Sequence, residues 1–236
     1  MTDLALSLTA VAVIGGLVSL DRRAAFQFML SQPLVAVSLV GLTLGHLNDG
    51  VMLGAILQLL WMSSVLFGAN IPRNETLASV TIGGAVFLYS NYLSPATPTI
   101  WTLAILLGAP VCILGQWLDI KLDHLNLGIA TKADAAAAEG NTKAISFCVF
   151  LSLTRTFLAN AAATSMTTAT VFFVLVQSDT FVGSHLAESL AVIGLYVVPS
   201  LGIAVAVSML RHRRGVALAC VTFAVVMTVL IQGVQS

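Results

Sequence analysis

Long apolar runs alternate with short polar connections from one end of the chain to the other. Leu4–Leu20 is the first run, followed by Leu34–Gly45, Val51–Ala69, Leu77–Tyr89, Thr99–Leu118, Ala144–Gln177, Glu188–Leu210 and Gly215–Ile231. A helix rises about 1.5 Å per residue and the hydrocarbon core of a bilayer is about 30 Å thick, so about 20 apolar residues are needed to cross it. Leu4–Leu20, Val51–Ala69, Thr99–Leu118, Glu188–Leu210 and Gly215–Ile231 approach that length, and Ala144–Gln177 is long enough for a span plus a surface helix. Leu34–Gly45 and Leu77–Tyr89 are too short. The pattern lacks the strict alternation of a transmembrane β-strand. It predicts an all-α, polytopic membrane protein forming a single membrane domain over 1–236.

Lys and Arg in the connections orient the spans, because they favour the cytoplasmic side. Arg22 and Arg23 follow the first run, Lys121, Lys132 and Lys143 lie in the polar segment 119–143, and Arg211, Arg213 and Arg214 join the last two runs. The connections at 90–98 and 178–187 carry neither residue type. These positions predict both termini outside and 21–32, 119–143 and 211–214 inside, which demands an odd number of crossings between 33 and 90. With one crossing, Val51–Ala69 spans and the two short runs flank it as half-helices or re-entrant segments. With three, each run crosses. The 119–143 segment is expected to be a solvated cytoplasmic connection containing a short helix, and 144–233 to form the C-terminal helices.

Composition agrees with this reading: 58% of residues are hydrophobic and 8% charged, against roughly a quarter charged in soluble domains. The net charge is zero, so no basic face argues for nucleic acid. Cys112, Cys148 and Cys220 show neither metal-ligand nor redox spacing. The run Leu4–Leu20 lacks a preceding basic region and reads as a retained helix rather than a cleaved leader. There is no nucleophile–base pair and no phosphate-binding glycine loop, so no catalytic residues, metal or cofactor are expected.

Against this background the stretch "GANIPRNETLASV", Gly68 to Val80, concentrates polar residues between two apolar runs. Pro72 resists a continuing helix, and Asn74 or Arg73 is placed to cap a segment starting near Thr76. Broken helices at membrane depth are tolerated where they are buried in protein or line a watery cavity, and in transporters they place polar groups near a substrate. An ordinary surface loop is the alternative.

The segment from Leu20 to Val80 resembles the IIC subunit of the mannose/fructose/sorbose family of the sugar phosphotransferase system. The likeness rests on "LDRRAAFQFMLSQPLVAVSLVGLTLG", "GVMLGAILQLLW" and "GANIPRNETLAS", whose order and spacing agree with the family pattern without a gap. The resemblance implies a sugar permease subunit of the bacterial inner membrane that works with a IID membrane partner. Cytoplasmic IIA and IIB phosphocarriers supply the phosphoryl group, the movement is elevator-like, and the assembly is a trimer of IIC–IID pairs. It also implies substrate contacts on the motif-bearing region 21–90.

Position by position, Asp21 and Gln27 match the family's Asp and Gln, Asn70 falls in its Gly-Ala-x-x-Pro turn, and Glu75 and Ser79 match the acidic and seryl positions beyond. Three family acids are replaced by His46, Gln58 and Asn74, Arg73 stands where the family has proline, and Ser-Arg-Pro has become Ser31-Gln32-Pro33. The candidate substrate contacts are therefore Asp21, Gln27, Gln58, Asn70, Arg73, Asn74, Glu75 and Ser79. Carboxylates accept sugar hydroxyls through charge-assisted bonds, whereas amides bond more weakly and also donate. The loss of three fits either a tuned site or a IIC-like protein that no longer transports and serves as a regulatory or assembly partner.

Several of these residues have a second reading. Gln58 is either a ligand contact or an interhelical tie. Arg73 and Glu75 form a local ion pair or face the pathway, and Asp21 pairs with Arg22 and Arg23 or contacts ligand. His46 and Asp49 make a polar turn or part of a site. Arg155, in an apolar segment, is a functional candidate or reaches the interface. The small-residue run "NAAATSMTTAT", 160–170, is read as a helix-packing face.

Overall fold

A computed structural model describes residues 2–25, 27–62 and 72–209, together with 217 and 221. The described residues form nine α-helices: α1 Thr2–Arg23, α2 Pro33–Leu44, α3 Leu47–Trp61, α4 Glu75–Tyr92, α5 Pro98–Gly108, α6 Val111–Ala138, α7 Thr142–Phe181, α8 Ser184–Val192 and α9 Val198–Ser208. Among the described residues, four stretches are long and apolar enough to cross a membrane, namely Asp3–Arg23, Pro98–Ala138, Thr142–Ser178 and Ser184–Ser208. Apart from positions 217 and 221, the run Gly215–Ile231 lies outside the described residues, as do residues 63–69 of the third run.

Between 33 and 90 the described residues form three helices, α2, α3 and α4. Helices α2 and α3, of 12 and 15 residues, rise about 18 and 22 Å and do not span alone. They pair as a tight hairpin whose turn is Gly45, at φ 83°, and His46. Pro33 begins α2, where its missing N–H costs nothing. The hairpin closes tightly because Gly41 and Gly50 face each other: a Cβ on Gly50 would lie 3.2 Å from the Gly41 Cα. Its tip reaches the far end of α4, where the Asn91 amide donates to the Leu44 carbonyl at 3.1 Å and its Oδ1 meets His46 Nε2 at 2.9 Å.

Helix α4 runs antiparallel beside α1. At 18 residues it rises about 27 Å. One end is tied to the base of α2 by the Thr76 hydroxyl donating to the Ser31 carbonyl, and Tyr92 at the other meets Ser7 of α1. Every residue from Thr76 to Tyr89 is buried. Its hydroxyls and glycines weaken the apolar signal in the sequence, and they are enclosed by the neighbouring helices. The neighbouring helices α1, α2 and α7 supply the covering, with Val11, Val37 and Leu175 in one core with Val80, Val86 and Phe87.

The small-residue run of α7 packs against α1 and α4, as expected. The Thr81 and Thr167 hydroxyls bond at 2.8 Å, and Gly15 of α1 sits directly over Thr164. Close approach of small faces is how helices gain dispersion contact where lipid competes.

Four sequence expectations change here. Pro110 divides Thr99–Leu118 into α5 and α6, because it has no N–H to continue the ladder. The 119–143 segment is helical almost throughout, since α6 runs on to Ala138 through alanines of high helix propensity, and turns at Gly140, φ 69°. Ala144–Gln177 belongs to a single 40-residue helix, capped by Asn141, whose Oδ1 accepts from the Ala144 N–H. The next run is interrupted by a π turn at Ile193–Val197 just before Pro199, where proline leaves a carbonyl unpaired.

Candidate functional site

The base of the α2–α3 hairpin, the N-terminus of α4, the C-terminus of α1 and the middle of α6 meet at one level. Lys121 stands 5.2 Å over the Trp117 ring at this level, a pairing of aromatic and cation typical of a membrane–water interface. Arg22 and Arg23 lie here too, on the side that the positive-inside pattern expects to face the cytoplasm.

Asn74 organises the level. Its Oδ1 accepts from the Leu77 N–H at 2.9 Å and caps α4, as the sequence suggested. Its backbone N–H donates to the Cys112 carbonyl in the first turn of α6 at 3.0 Å. Its Nδ2 donates to Asp119 Oδ2 at 3.1 Å. The approach is close because residue 115 is glycine: a Cβ there would come within 2.5 Å of the Asn74 Cβ.

Asp119, buried to 4% exposure, also accepts from Arg22 Nη1 at 2.7 Å. Arg22 uses its other amino group on the Arg73 carbonyl at 2.9 Å and on Glu75 Oε2 at 3.4 Å. One guanidinium thus joins α1, α4 and α6. The result corrects two local pairings read from the sequence. Glu75 pairs with Arg22 rather than Arg73, whose side chain is exposed. Asp21 does not pair with its neighbouring arginines. It is buried and accepts the backbone N–H groups of Phe28 at 2.6 Å and Ser31 at 3.0 Å.

Asp21 therefore holds the 24–32 connection in shape. Within that connection Gln27 and Met29 have φ of 54° and 64°, the left-handed region that side chains with a Cβ rarely enter. The Gln27 side chain is exposed. Such backbone persists only when the surroundings over-determine it, and the two N–H bonds to Asp21 do so.

Gln58 ties the hairpin's two legs. Its Nε2 donates to Gln32 Oε1 at 2.9 Å, and its Oε1 accepts from the Leu34 N–H at 3.3 Å, serving one of the unpaired donors at the start of α2. Ser79 lies one turn inside α4, fully buried, and its Oγ has no hydrogen-bond partner. Asn70 lies outside the described residues. Structure therefore brings Gln58, Asn74 and Glu75 to one level, keeps Ser79 just above them, and places Asp21 and Gln27 on the adjoining connection. The residues that sequence reasoning missed are Arg22 and Asp119, joined across 97 positions with no local pattern to announce them.

His46 sits at the opposite end, stacked on Phe87 with ring centres 5.7 Å apart and with Nδ1 3.6 Å from Asp49. It fixes the hairpin tip. Arg155 donates to the Leu125 carbonyl at 2.9 Å and ties α7 to α6.

Comparison with known proteins gives a consistent picture. The model of a family described as the sorbose-specific IIC component of the phosphotransferase system matches residues 5–235. The mannose-specific EIIC component of Escherichia coli K12 is 28% identical over 121 residues, covering 51% of this chain and 42% of that protein. The sorbose-specific EIIC component of Klebsiella pneumoniae is 30% identical over 119 residues, covering 50% and 42%. The aligned stretches thus span under half the length of these relatives. Two solved structures share the fold at 22% identity. One, described as a membrane protein, has a TM-score of 0.70 over 98% of this chain and 93% of that one. The other, a chain from the mannose transporter ManYZ in complex with microcin E492, has a TM-score of 0.57 over 100% and 96%.

Proposed function

The chain belongs to the family of sorbose-specific IIC components of the phosphotransferase system, and from that premise we propose that it is a membrane permease subunit that passes a sugar across the inner membrane to a phosphorylating IIB partner. The sugar is of the hexose class that its relatives are named for. In this reading the chain pairs with a IID membrane subunit in a trimer of such pairs, receives its phosphoryl chemistry from IIA and IIB, and moves as an elevator. It contributes binding and passage, not catalysis.

The observation that carries the proposal is the meeting of broken backbone and amide side chains at the level of Arg22 and Asp119. The hairpin base, the α4 cap and the α5–α6 break all end there, so Gln32, Gln58, Asn74 and Glu75 lie where a hydroxylated solute has donors and acceptors to exchange for water. Asp21, Gln27, Asn70, Arg73 and Ser79 complete the proposed contacts, some of them in other positions of the cycle. The test is phosphoenolpyruvate-dependent sugar uptake in vesicles with the IIA, IIB and IID partners co-expressed. Gln58→Glu restores the family acid and is expected to change sugar preference. Uptake with unaltered rate and selectivity would remove Gln58 from the site.

A second reading has a specific observation in its favour. Each residue that replaces a family acid is engaged inside the protein: His46 with Asn91, Gln58 with Gln32, and Asn74 with Asp119. A IIC-like chain that had ceased to transport and remained as an assembly or regulatory partner would keep such contacts. Complex formation with no uptake of any sugar tried would establish it.

A further inference from the structure

The connection between α1 and α2 displays apolar side chains where a loop in water carries polar ones. Phe28, Met29 and Leu30 follow one another and are 72%, 70% and 38% exposed. A run of exposed apolar residues is a defect unless it has a contact to make. These residues cannot fold back, because their backbone is held. The Phe28 and Ser31 N–H groups donate to the buried Asp21 carboxylate at 2.6 and 3.0 Å, and the Thr76 hydroxyl donates to the Ser31 carbonyl. Gln27 and Met29 both take left-handed backbone, at φ 54° and 64°, which residues with a Cβ adopt only where their surroundings enforce it.

Bonded contacts fix the depth of this connection. Asp21 precedes Arg22, which lies 2.7 Å from Asp119 on α6. Asp119 is two residues, about 3 Å of helix rise, from both Trp117 and Lys121. Trp117 is 60% exposed with the Lys121 ammonium 5.2 Å over its ring, and amphipathic side chains of this kind sit at headgroup level. At its other end the connection runs into the apolar helix α2, which goes on exposing Leu34 and Leu42. Exposed apolar surface therefore continues from α2 down to the level of the headgroups.

The charges say which lipid suits it. Arg73 and Lys121 are exposed, and among the described residues neither has a carboxylate within ion-pair distance. Arg73 belongs to the same level, since its carbonyl accepts from Arg22 at 2.9 Å. Two cations without a partner in the chain, beside an apolar prong, match a leaflet that offers anionic phosphate and acyl chain together.

We propose that the 24–32 connection is a lipid anchor: Phe28, Met29 and Leu30 insert at the headgroup–acyl boundary, and Arg73 and Lys121 hold phosphates of anionic phospholipids there. It ties the foot of the α2–α3 hairpin to one leaflet. The anchor does not depend on the transport reading.

The full chain carrying Cys112→Ala, Cys148→Ala and Cys220→Ala, with a nitroxide on Met29→Cys, is placed in nanodiscs of phosphatidylcholine and phosphatidylglycerol in equal parts. Collisions of the label with oxygen, which concentrates among acyl chains, are compared with collisions with a water-soluble nickel chelate. Oxygen is expected to dominate several-fold at position 29. Glu139→Cys, at the end of α6 and about 27 Å beyond Lys121, is expected to show the reverse. In the parent chain, native mass spectrometry from detergent is expected to find phosphatidylglycerol retained over phosphatidylcholine, and Arg73→Gln with Lys121→Gln to lower that preference several-fold. The proposal is overturned if the nickel chelate dominates at position 29, or if positions 29 and 139 give the same ratio, either of which puts the connection in water. It is overturned too if neither collider reaches the label, which puts a protein surface or a second copy over it. It also fails if the double charge variant retains phosphatidylglycerol as the parent does, or if inorganic phosphate displaces the lipid, which makes the occupant a free anion.

Discussion

Replacing Asp119 with alanine should expose how much of the assembly hangs on one carboxylate. The substitution strips Arg22 of its 2.7 Å partner and Asn74 of its acceptor at 3.1 Å. Both are buried, the Arg22 side chain to 9% exposure and the Asp119 side chain to 5%. Removing one member of a buried ion pair costs about 3–5 kcal/mol, mostly because the surviving charge is left without compensation. Arg22 keeps the Arg73 carbonyl and a longer contact to Glu75, which offsets part of the loss and places the expected value near the lower end, about 3 kcal/mol. Asp123→Ala provides the internal standard. Its carboxylate also lies 2.7 Å from a guanidinium, but the two side chains are 50% and 33% exposed, so its expected cost is about 0.2–1 kcal/mol.

Equilibrium unfolding in mixed micelles, with both variants measured against the parent, reads the difference directly. A further arm makes the cause specific: combining Asp119→Leu with Arg22→Met removes the orphaned charge, and the pair should recover much of what Asp119→Ala loses. If Asp119→Ala and Asp123→Ala cost the same, or if the double replacement is the sum of the two single ones, burial is not what gives the Arg22–Asp119 pair its weight.

Two further outcomes follow from close packing. Gly115→Ala drives a methyl group to 2.5 Å from the Asn74 Cβ, so it should cost about 1–3 kcal/mol and loosen the α4 cap, seen as faster amide exchange at Leu77. Thr81→Val removes the 2.8 Å bond to Thr167 while keeping the shape of the side chain; unfolding should show a loss of only about 0.6 kcal/mol, the usual worth of an interhelical hydroxyl bond in a membrane.

Local chemistry made part of this molecule legible in advance. Pro33 and Gly45 bracket α2, Asn74 caps α4, and small residues from 160 onward face their neighbours, because each of these is decided within a turn or two of helix. The path of the chain through the membrane was less legible. Hydropathy pointed to 51–69 because its runs are apolar, and gave little weight to α4, which buries Thr76, Ser79, Thr81, Gly83 and Gly84 in the centre of the bundle. Hydropathy measures what a helix would show to lipid, whereas Thr76 to Tyr89 of this helix are covered by protein. Polar residues at 119–123 likewise looked like the end of a span, but Asp119 is turned inward to Arg22 and the helix continues. At the candidate site the family register located Gln58, Asn74 and Glu75, while the pairing of positions 22 and 119 could come only from the fold.

The enclosure of α4 from Thr76 to Tyr89 bears on the order in which the protein can be made. A helix carrying three hydroxyl-bearing residues and two adjacent glycines in its first ten positions partitions poorly into lipid on its own. Its shelter comes partly from α7, whose Thr167 and Leu175 are synthesised some 90 positions later. Until those residues leave the ribosome, α4 must wait beside the hairpin and α1, half covered. Insertion of this chain is therefore a joint event in which the late helix secures the early one, and truncation before α7 would leave the centre of the bundle without a stable home in the bilayer.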